Sequence, residues 1–418
     1  MQRLRTHSLA FTLLLGALVT LASFATDMGL PVLGETAAAL GVPVGKAALT
    51  LSVFVAGFAL GPLVFGPLSD HFGRRPVLLT GVAMFATFGA LATFSTSFGA
   101  LLLWRMIMGA GAGGSQVLVV AMVRDLFAGT EARVRQSYVN LAAGVAPVIA
   151  PTLGVAVAAI GGWRGIYAFL AVGGFVLLAI AALRLGESAP RRPGSTLTIA
   201  RTLASYARVL RHPVSFGYVL IVALNFGCLF AYVSGSSLVL IDVLGVSRRT
   251  YGYLFACTAL GLTVGALTSA RLGARGVKHR RIISAGLVAI VGTALVLAAL
   301  AWAGWLTVSL LVPIAVVGFV GQGAVRPNAV QAALEPVPDI AGVASAVLSG
   351  VQMLTGALAS AVVASLFDGR SARSMTATMV ACALASAALY VGVVRRAERR
   401  WEKARRVASA PASANVAA

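Results

Sequence analysis

The chain has 418 residues, 59% of them apolar and 11% charged, with a mean hydropathy of +0.93. A water-soluble domain is excluded, because so few polar residues could not cover so large an apolar content. A formal charge of +21 would suggest nucleic acid in a soluble protein, but here its placement along the chain reads as membrane topology, so no nucleic-acid partner is expected.

Apolar runs long enough to cross a hydrocarbon core of about 30 Å as helices recur, centred near residues 20, 58, 86, 111, 148, 174, 225, 261, 291, 315, 353 and 384. The expected fold is an all-α polytopic membrane protein, with twelve transmembrane helices in two six-helix halves around a central cavity. With the N-terminus inside, 26 of the 33 Lys and Arg fall inside and 6 outside (Lys46, Arg164, Arg248, Arg249, Arg370, Arg373), while Arg105 lies within the membrane. Arg326 is counted with the inner group. This bias favours a multi-pass protein of the cell (inner) membrane with cytoplasmic N- and C-termini. Arg248 and Arg249 are its clearest local exception. The first run also admits a signal-peptide reading, since Arg3 and Arg5 precede it and Ser23-Phe24-Ala25 resembles a cleavage site. Its length argues against removal, as does the odd number of spans that removal would leave.

The first span holds Asp27, an acidic residue inside an apolar run; the other Asp and Glu residues fall in loops or tails. A carboxylate at bilayer depth costs roughly 2.5–3.5 kcal/mol on insertion scales, which makes this one a functional candidate. Thr12, Gly16, Thr20, Ser23 and Asp27 follow helical spacing and are expected to face a cavity. The loop after the second span reads Gly66-Pro67-Leu68-Ser69-Asp70-His71-Phe72-Gly73-Arg74-Arg75-Pro76. Its glycines suit a tight turn between packed helix ends, and Asp70 is placed to cap a helix or to pair with Arg74 or Arg124. The alternative is a merely basic inner turn.

Arg105 in the fourth span is the natural partner for Asp27: at 1.5 Å per residue both lie in the outer half. Arg105, Met108, Gly109, Ala112 and Gln116 form the corresponding face of that helix. In the fifth span Pro147 and Pro151, flanked by Gly144 and Gly154, predict a kinked helix packed closely on a neighbour. Residues 186–213 break the hydrophobic rhythm and separate an N-terminal half, 1–185, from a C-terminal half, 214–394, with a basic tail at 395–418. Within that break Arg201, Ser205, Arg208 and His212 oppose Leu203, Tyr206, Ala207 and Leu210, as in a helix on the inner leaflet or a solvated linker helix. Gly109, Gly111 and Gly113 are echoed by Gly318, Gly321 and Gly323, a loose sign of an internal repeat.

Substrate contacts are expected from Met108, Gln116, Tyr138, Asn140, Asn225, Phe226, Tyr232 and Gln352, polar, aromatic or soft groups at cavity depth that serve equally as helix-packing residues. Cys228, Cys257 and Cys382 lie within spans, so no disulfide framework is expected. His7, His71, His212 and His279 fall in inner segments, no metal-ligand spacing occurs, and no GxxxxGK[ST] pattern marks a nucleotide site. No metal, cofactor or obligate protein partner is expected. Nor is an enzyme, because no nucleophile is paired with a base at membrane depth.

The loop at Gly66–Pro76 resembles the signature of the major facilitator superfamily. Asp27-Met28-Gly29-Leu30-Pro31, Arg105 with Gly109 and Gly111, Val123-Arg124-Asp125-Leu126, the run from Ala146 to Gly154, Gly162-Trp163-Arg164 and the run from Ala341 to Ala346 are similar to its Bcr/CflA drug-resistance subfamily. The likeness runs from the first span to the eleventh. Gly29, where an aromatic is usual, and Gly34, in place of a usual Pro, depart from it near the outer mouth. The resemblance implies a proton-coupled multidrug efflux transporter, driven by the proton gradient without a cofactor, that exports chloramphenicol-like or bicyclomycin-like compounds by alternating access. It also implies a gating role for Gly66, Asp70, Gly73, Arg74, Arg75 and Arg124, and makes Gly144, Pro147, Pro151 and Gly154 an antiporter motif. Its expected partners are a small-molecule drug, protons and the lipid bilayer. Asp27 would alternate between a proton taken from outside and an ionised state, coupled through Arg105. A structural ion pair is the plainer reading of these two, and an ordinary proline kink that of the fifth span. The same fold could also export or import an endogenous metabolite, or act as a passive channel or sensor.

Overall fold

The computed structural model describes residues 8–188 and 199–408, and every regular element among them is helical. The spanning helices are α1 (Leu9–Asp27), α2 (Leu49–Phe72), α3 (Arg74–Thr93) and α4 (Phe98–Leu126). The helical stretch Gly129–Arg184 breaks at Gly162, whose φ of 60° and ψ of −161° fit no helix, and so provides α5 (129–161) and α6 (163–184). Then follow α7 (Pro213–Ser237), α8 (Arg248–Ala274), α9 (His279–Ala303), α10 (Val308–Leu334), α11 (Ala341–Leu366) and α12 (Arg373–Leu389). Eleven stretches have the length and hydropathy of a span, and the break at Gly162 makes twelve. The chain is therefore an all-α polytopic membrane protein of two six-helix halves.

The helices pass back and forth, so α1 begins and α12 ends at one end of the bundle, here named the basic end. A linker helix, Ile199–Arg211, follows α6 and is tied to the C-terminal half by Arg208, 2.6 Å from Asp339. Pro190, Arg191, Arg192, Pro193, Gly194 and Ser195 of the expected break lie outside the described residues, as do 409–418 of the tail. In the linker helix Tyr206 and Ala207 are half-buried and Leu210 is exposed. A helix at Arg395–Ala408 continues α12 through a π-helical turn, and its buried Glu398 holds His279 and Arg280, each at 2.7 Å.

Glycines set how closely the helices meet. A Cβ on Gly57 or Gly61 of α2 would overlap the backbone carbonyl of Met106 or Ala110, and one on Gly109 or Gly113 of α4 that of Phe54 or Phe58. Such reciprocal gaps let two backbones touch, which is how helices associate where lipid removes the hydrophobic drive. The second half repeats the device between α8 and α10: Gly261 and Gly265 face the carbonyls of Val316 and Val320, and Gly323 that of Leu262. The correspondence keeps constant offsets of 204 residues from α2 to α8 and 210 from α4 to α10. Gly81 and Gly111 likewise match Gly286 and Gly321 between α3 and α9. The internal repeat is thus built into the packing. Gly109 corresponds to Phe319, however, and Gly318 packs on Thr293 instead.

The halves meet at the end opposite the basic one. There Ser52 of α2 and Ser360 of α11 share a buried hydrogen bond of 2.8 Å, and a Cβ on Gly45 would lie 2.8 Å from the Ala364 carbonyl. Toward the basic end α5 and α8 part. Between Glu131 and Val145 of α5 only Val139 is buried; between Thr263 and Ala270 of α8 only Gly265 and Ser269 are, and both face α10. A helix free on all sides but one lines an open space as well as lipid, so a central cavity opens to the basic end. Arg326, counted with the inner group, lies within α10, eight residues before Leu334.

Candidate functional site

Asp27 is the last residue of α1 and is only 5% exposed. Next to it the Met28 carbonyl is met by Gly154 of α5, where a Cβ would overlap it. Two residues earlier on α5, Thr152 faces α8: a Cβ on Gly252 would lie 2.8 Å from its Oγ1. Tyr251, also of α8, is fully buried and hydrogen-bonded to Ser236 at 3.1 Å. The carboxyl group therefore sits where α1 and α5 of one half meet α8 of the other, turned away from lipid. The prolines of α5 lead into this junction, and the helix runs through both without interruption. Of its two flanking glycines Gly154 is the tight one; Gly144 has open space where a Cβ would be, so the expected close contact there is absent.

Arg105, 3% exposed, does not pair with Asp27: among the described residues no ion pair joins them within 4.0 Å. Its Nε donates to the Thr50 carbonyl at 3.2 Å, and its guanidinium lies 4.4 Å from the Phe54 ring centroid and 5.6 Å from that of Tyr167. The cause is helix rotation. Thr26 and Arg105 line one small cavity inside the N-terminal half, and on a helix the next residue points about 100° away, which turns Asp27 toward α8. Aromatic faces and a carbonyl hold the cation in place of a carboxylate.

The polar stripe on α1 is likewise a seam with α5 rather than a cavity wall along its first half. Arg135 donates to Thr12, and a Cβ on Gly16 would lie 3.2 Å from that of Ala142. The face expected on α4 is divided between neighbours: Gly109 meets α2, and Met108 is fully buried, with its Cε 3.5 Å from a Cβ placed on Gly89 of α3.

A clamp missed in the sequence closes the end beyond Asp27. Glu35 accepts from the Trp163 backbone N–H at 2.9 Å, at the break that begins α6, and from Arg248 of α8 at 3.0 Å. Gly162 is needed there, because its φ is positive and a Cβ would lie 2.6 Å from Glu35 Oε1. Arg248, the exception to the charge bias, thus carries one side of a contact between halves. Glu35→Gln is expected to shift the equilibrium toward opening at this end by about twofold to fivefold, from the roughly 0.5–1 kcal/mol of a half-exposed pair. Spin-label distances across that end, compared with wild type, check this.

At the basic end the loop between α2 and α3 is a hub. Gly73, with φ 96°, makes the turn. Arg74 binds Asp70 at 2.6 Å, Ser69 at 2.6 Å and Asp125 of α4 at 2.9 Å. Glu187, after α6, accepts from the backbone N–H groups of Arg74 at 2.9 Å and Arg75 at 3.2 Å, and Arg75 donates to the Ala182 carbonyl at 2.6 Å. Of the partners open to Asp70, the structure selects Arg74. The cap on α3 comes from Glu187, and Arg124 reaches the other half, 3.5 Å from a Cβ placed on Gly342 of α11. Gly66 has open space where a Cβ would be.

This geometry has relatives. The chain matches the sequence profile of the Major Facilitator Superfamily over residues 13–360. It belongs to that superfamily. A bicyclomycin resistance protein homolog of Haemophilus influenzae is 29% identical over 388 residues, covering 92% of this chain and 96% of the relative. An uncharacterised transporter of the same superfamily from Bacillus subtilis, YdgK, is 32% identical over 394 residues, covering 93% and 96%. Among solved structures, a POT family transporter in complex with 5-aminolevulinic acid aligns with a TM-score of 0.73 at 13% identity, over 91% of this chain and 95% of that one. At that identity the likeness shows the fold alone. The chain is a multi-pass membrane transporter.

In this superfamily member the expected cavity residues divide. Gln116 is half-buried on α4; Tyr138 and Asn140 are exposed on the open part of α5, where Gln136 donates to Asn140 at 3.0 Å. Phe226 lies against Phe230, ring centroids 4.5 Å apart, and faces Gly356 of α11. Tyr232 packs edge-on against Phe319 of α10 at 5.0 Å. Asn225 and Gln352 are buried with amide atoms that meet no protein partner: both Nδ2 and Oδ1 of Asn225, and Oε1 of Gln352.

Proposed function

We propose that this transporter exports small hydrophobic or zwitterionic antibiotics, of the chloramphenicol or bicyclomycin kind, in exchange for protons, with Asp27 as the group that carries the proton. The observation that carries the reading is the position of Asp27: buried, without an ion-pair partner among the described residues, at the α1–α5–α8 junction that must separate when the closed end opens. The junction closes more cheaply around a neutral carboxylic acid than around a carboxylate. A proton taken up from outside therefore favours the form seen here. Its release to the inner side as drug enters favours opening of the far end. Arg105 acts as a fixed positive centre beside α1. The basic end faces the cytoplasm of the cell (inner) membrane, as the Lys and Arg distribution favours. The proton gradient alone drives the cycle, without cofactor, chemical turnover or obligate protein partner. The names of relatives support the drug class.

The test is export by proteoliposomes with an imposed pH gradient, using chloramphenicol beside an amino-acid and sugar panel. Chloramphenicol movement that a protonophore abolishes is the expected result. Gradient-driven movement of a metabolite alone transfers the reading to metabolite transport, and movement indifferent to the gradient leaves a passive channel.

A further inference from the structure

Arg326 is a second cation at membrane depth, and the cycle proposed above does not use it. The packing of α10 determines its direction. Gly318 and Gly321 face α9, while Gly323 and Asn328 face α8, Asn328 through a 2.7 Å hydrogen bond to Ser269. Beside these faces runs a stripe of Phe319, Gln322 and Arg326 at helical spacing; Phe319 borders Gly261 of α8 and meets Tyr232 of α7. This stripe turns toward the centre of the bundle. Arg326 is exposed, yet protein surrounds it as densely as it does a buried residue, as expected for a side chain on the wall of a water-filled vestibule. Its guanidinium makes no hydrogen bond or ion pair among the described residues. By the 210-residue offset of the repeat, its counterpart on α4 is Gln116, a neutral group.

Other polar groups converge at nearby depth. From the basic ends of their helices, at 1.5 Å per residue, Arg326 stands about 12 Å up, with Gln322 and Asn225 at about 18 Å and Gln352 at about 16 Å. Asn225 and Gln352 keep amide atoms without partners, and three helices of the C-terminal half so surround one level with donors and acceptors. A guanidinium in a cavity open to water can stay unpaired. When the basic end closes over it, an uncompensated charge becomes costly unless an anion enters with it.

We propose that Arg326 is a specificity-determining residue that takes the negative group of the substrate, so that this transporter prefers small organic anions and zwitterions bearing a carboxylate over their neutral analogues. The carboxylate accepts the guanidinium fork, while Gln322 and the free amides of Asn225 and Gln352 bind the polar body of the molecule. The proposal rests on the efflux reading for the existence of a drug cavity, and adds the charge of what enters it.

Chloramphenicol and its succinate monoester are a matched pair of probes, since the ester carries a carboxylate that the parent lacks. Binding to purified full-length protein at neutral pH is measured by calorimetry for wild type, Arg326→Gln and Arg326→Lys. Wild type is expected to bind the monoester about tenfold or more tighter than the parent, as a charge-assisted pair implies. Arg326→Gln should bring the two within about twofold while leaving affinity for the parent unchanged, and Arg326→Lys should keep most of the preference. Arg326 is exposed, so the variants are expected to match wild type in melting temperature. An unchanged preference in Arg326→Gln, or an equal loss for both probes, overturns the assignment. Gradient-driven export of the parent by wild type without any preference for the anion overturns it alone. If wild type binds neither probe and no gradient-driven export of chloramphenicol occurs, the efflux reading falls with it.

Discussion

Asp27→Asn is expected to abolish proton-driven drug export while leaving drug binding measurable. The amide has the shape of the neutral acid but holds no exchangeable charge, so it fixes the α1–α5–α8 junction in the condition that favours closure. The difference between a carboxylate and a neutral group at this depth, roughly 2.5–3.5 kcal/mol, corresponds to a shift of roughly a hundredfold in the balance between the two open forms. Spin labels across the end that holds Glu35 and Arg248 should report an open fraction that falls as pH falls in wild type, because protonation favours closure there. In Asp27→Asn that fraction should be small at every pH. Asp27→Glu keeps a titrating group and should retain part of the transport, which separates loss of the proton from loss of shape. Export of drug against its gradient by Asp27→Asn, driven by an imposed pH difference, would show that the proton binds elsewhere.

Depth was legible in the sequence; direction was not. Apolar runs located all twelve helices because the bilayer sets their length, and the cost of a buried carboxylate singled out Asp27. Its pairing with Arg105 was inferred from matching depth, yet a helix is free to rotate about its axis, and Thr26 rather than Asp27 faces that cation. Arg326 was counted only with the inner charges, and its place within α10 was not legible because a cavity accepts charge as water does. Glu35 and Glu187 were passed over because each acts on partners more than a hundred residues away, a distance that no local pattern encodes. A signal for the helix contacts was available. Gly57 and Gly61, like Gly261 and Gly265, are four-residue glycine pairs, the spacing that brings both onto one helix face, and they form the seams that carry the repeat.

Those seams give the largest expected effect on stability. A valine at Gly113 places a Cβ into the Phe58 carbonyl, where no rotamer change relieves it, so α2 and α4 must move apart along their whole interlock. Overpacking of this kind costs about 3 kcal/mol, which for a chain of 418 residues lowers the melting temperature by roughly 3–4 °C. The repeat sharpens the prediction, because Gly323→Val strikes the Leu262 carbonyl in the equivalent seam of the other half and should lose a similar amount. Gly292→Val on α9 is the control, since nothing lies within 4 Å of the Cβ it would add. Melting of the three purified variants in one detergent separates a penalty due to contact from a general intolerance of valine. If Gly113→Val and Gly323→Val melt with wild type, the helices do not meet backbone to backbone, and the two halves are not joined internally by matching seams. The same pair bears on transport. In the proposed cycle each half moves as a body around the junction at Asp27, so a seam loosened within one half should lower export even where drug still binds.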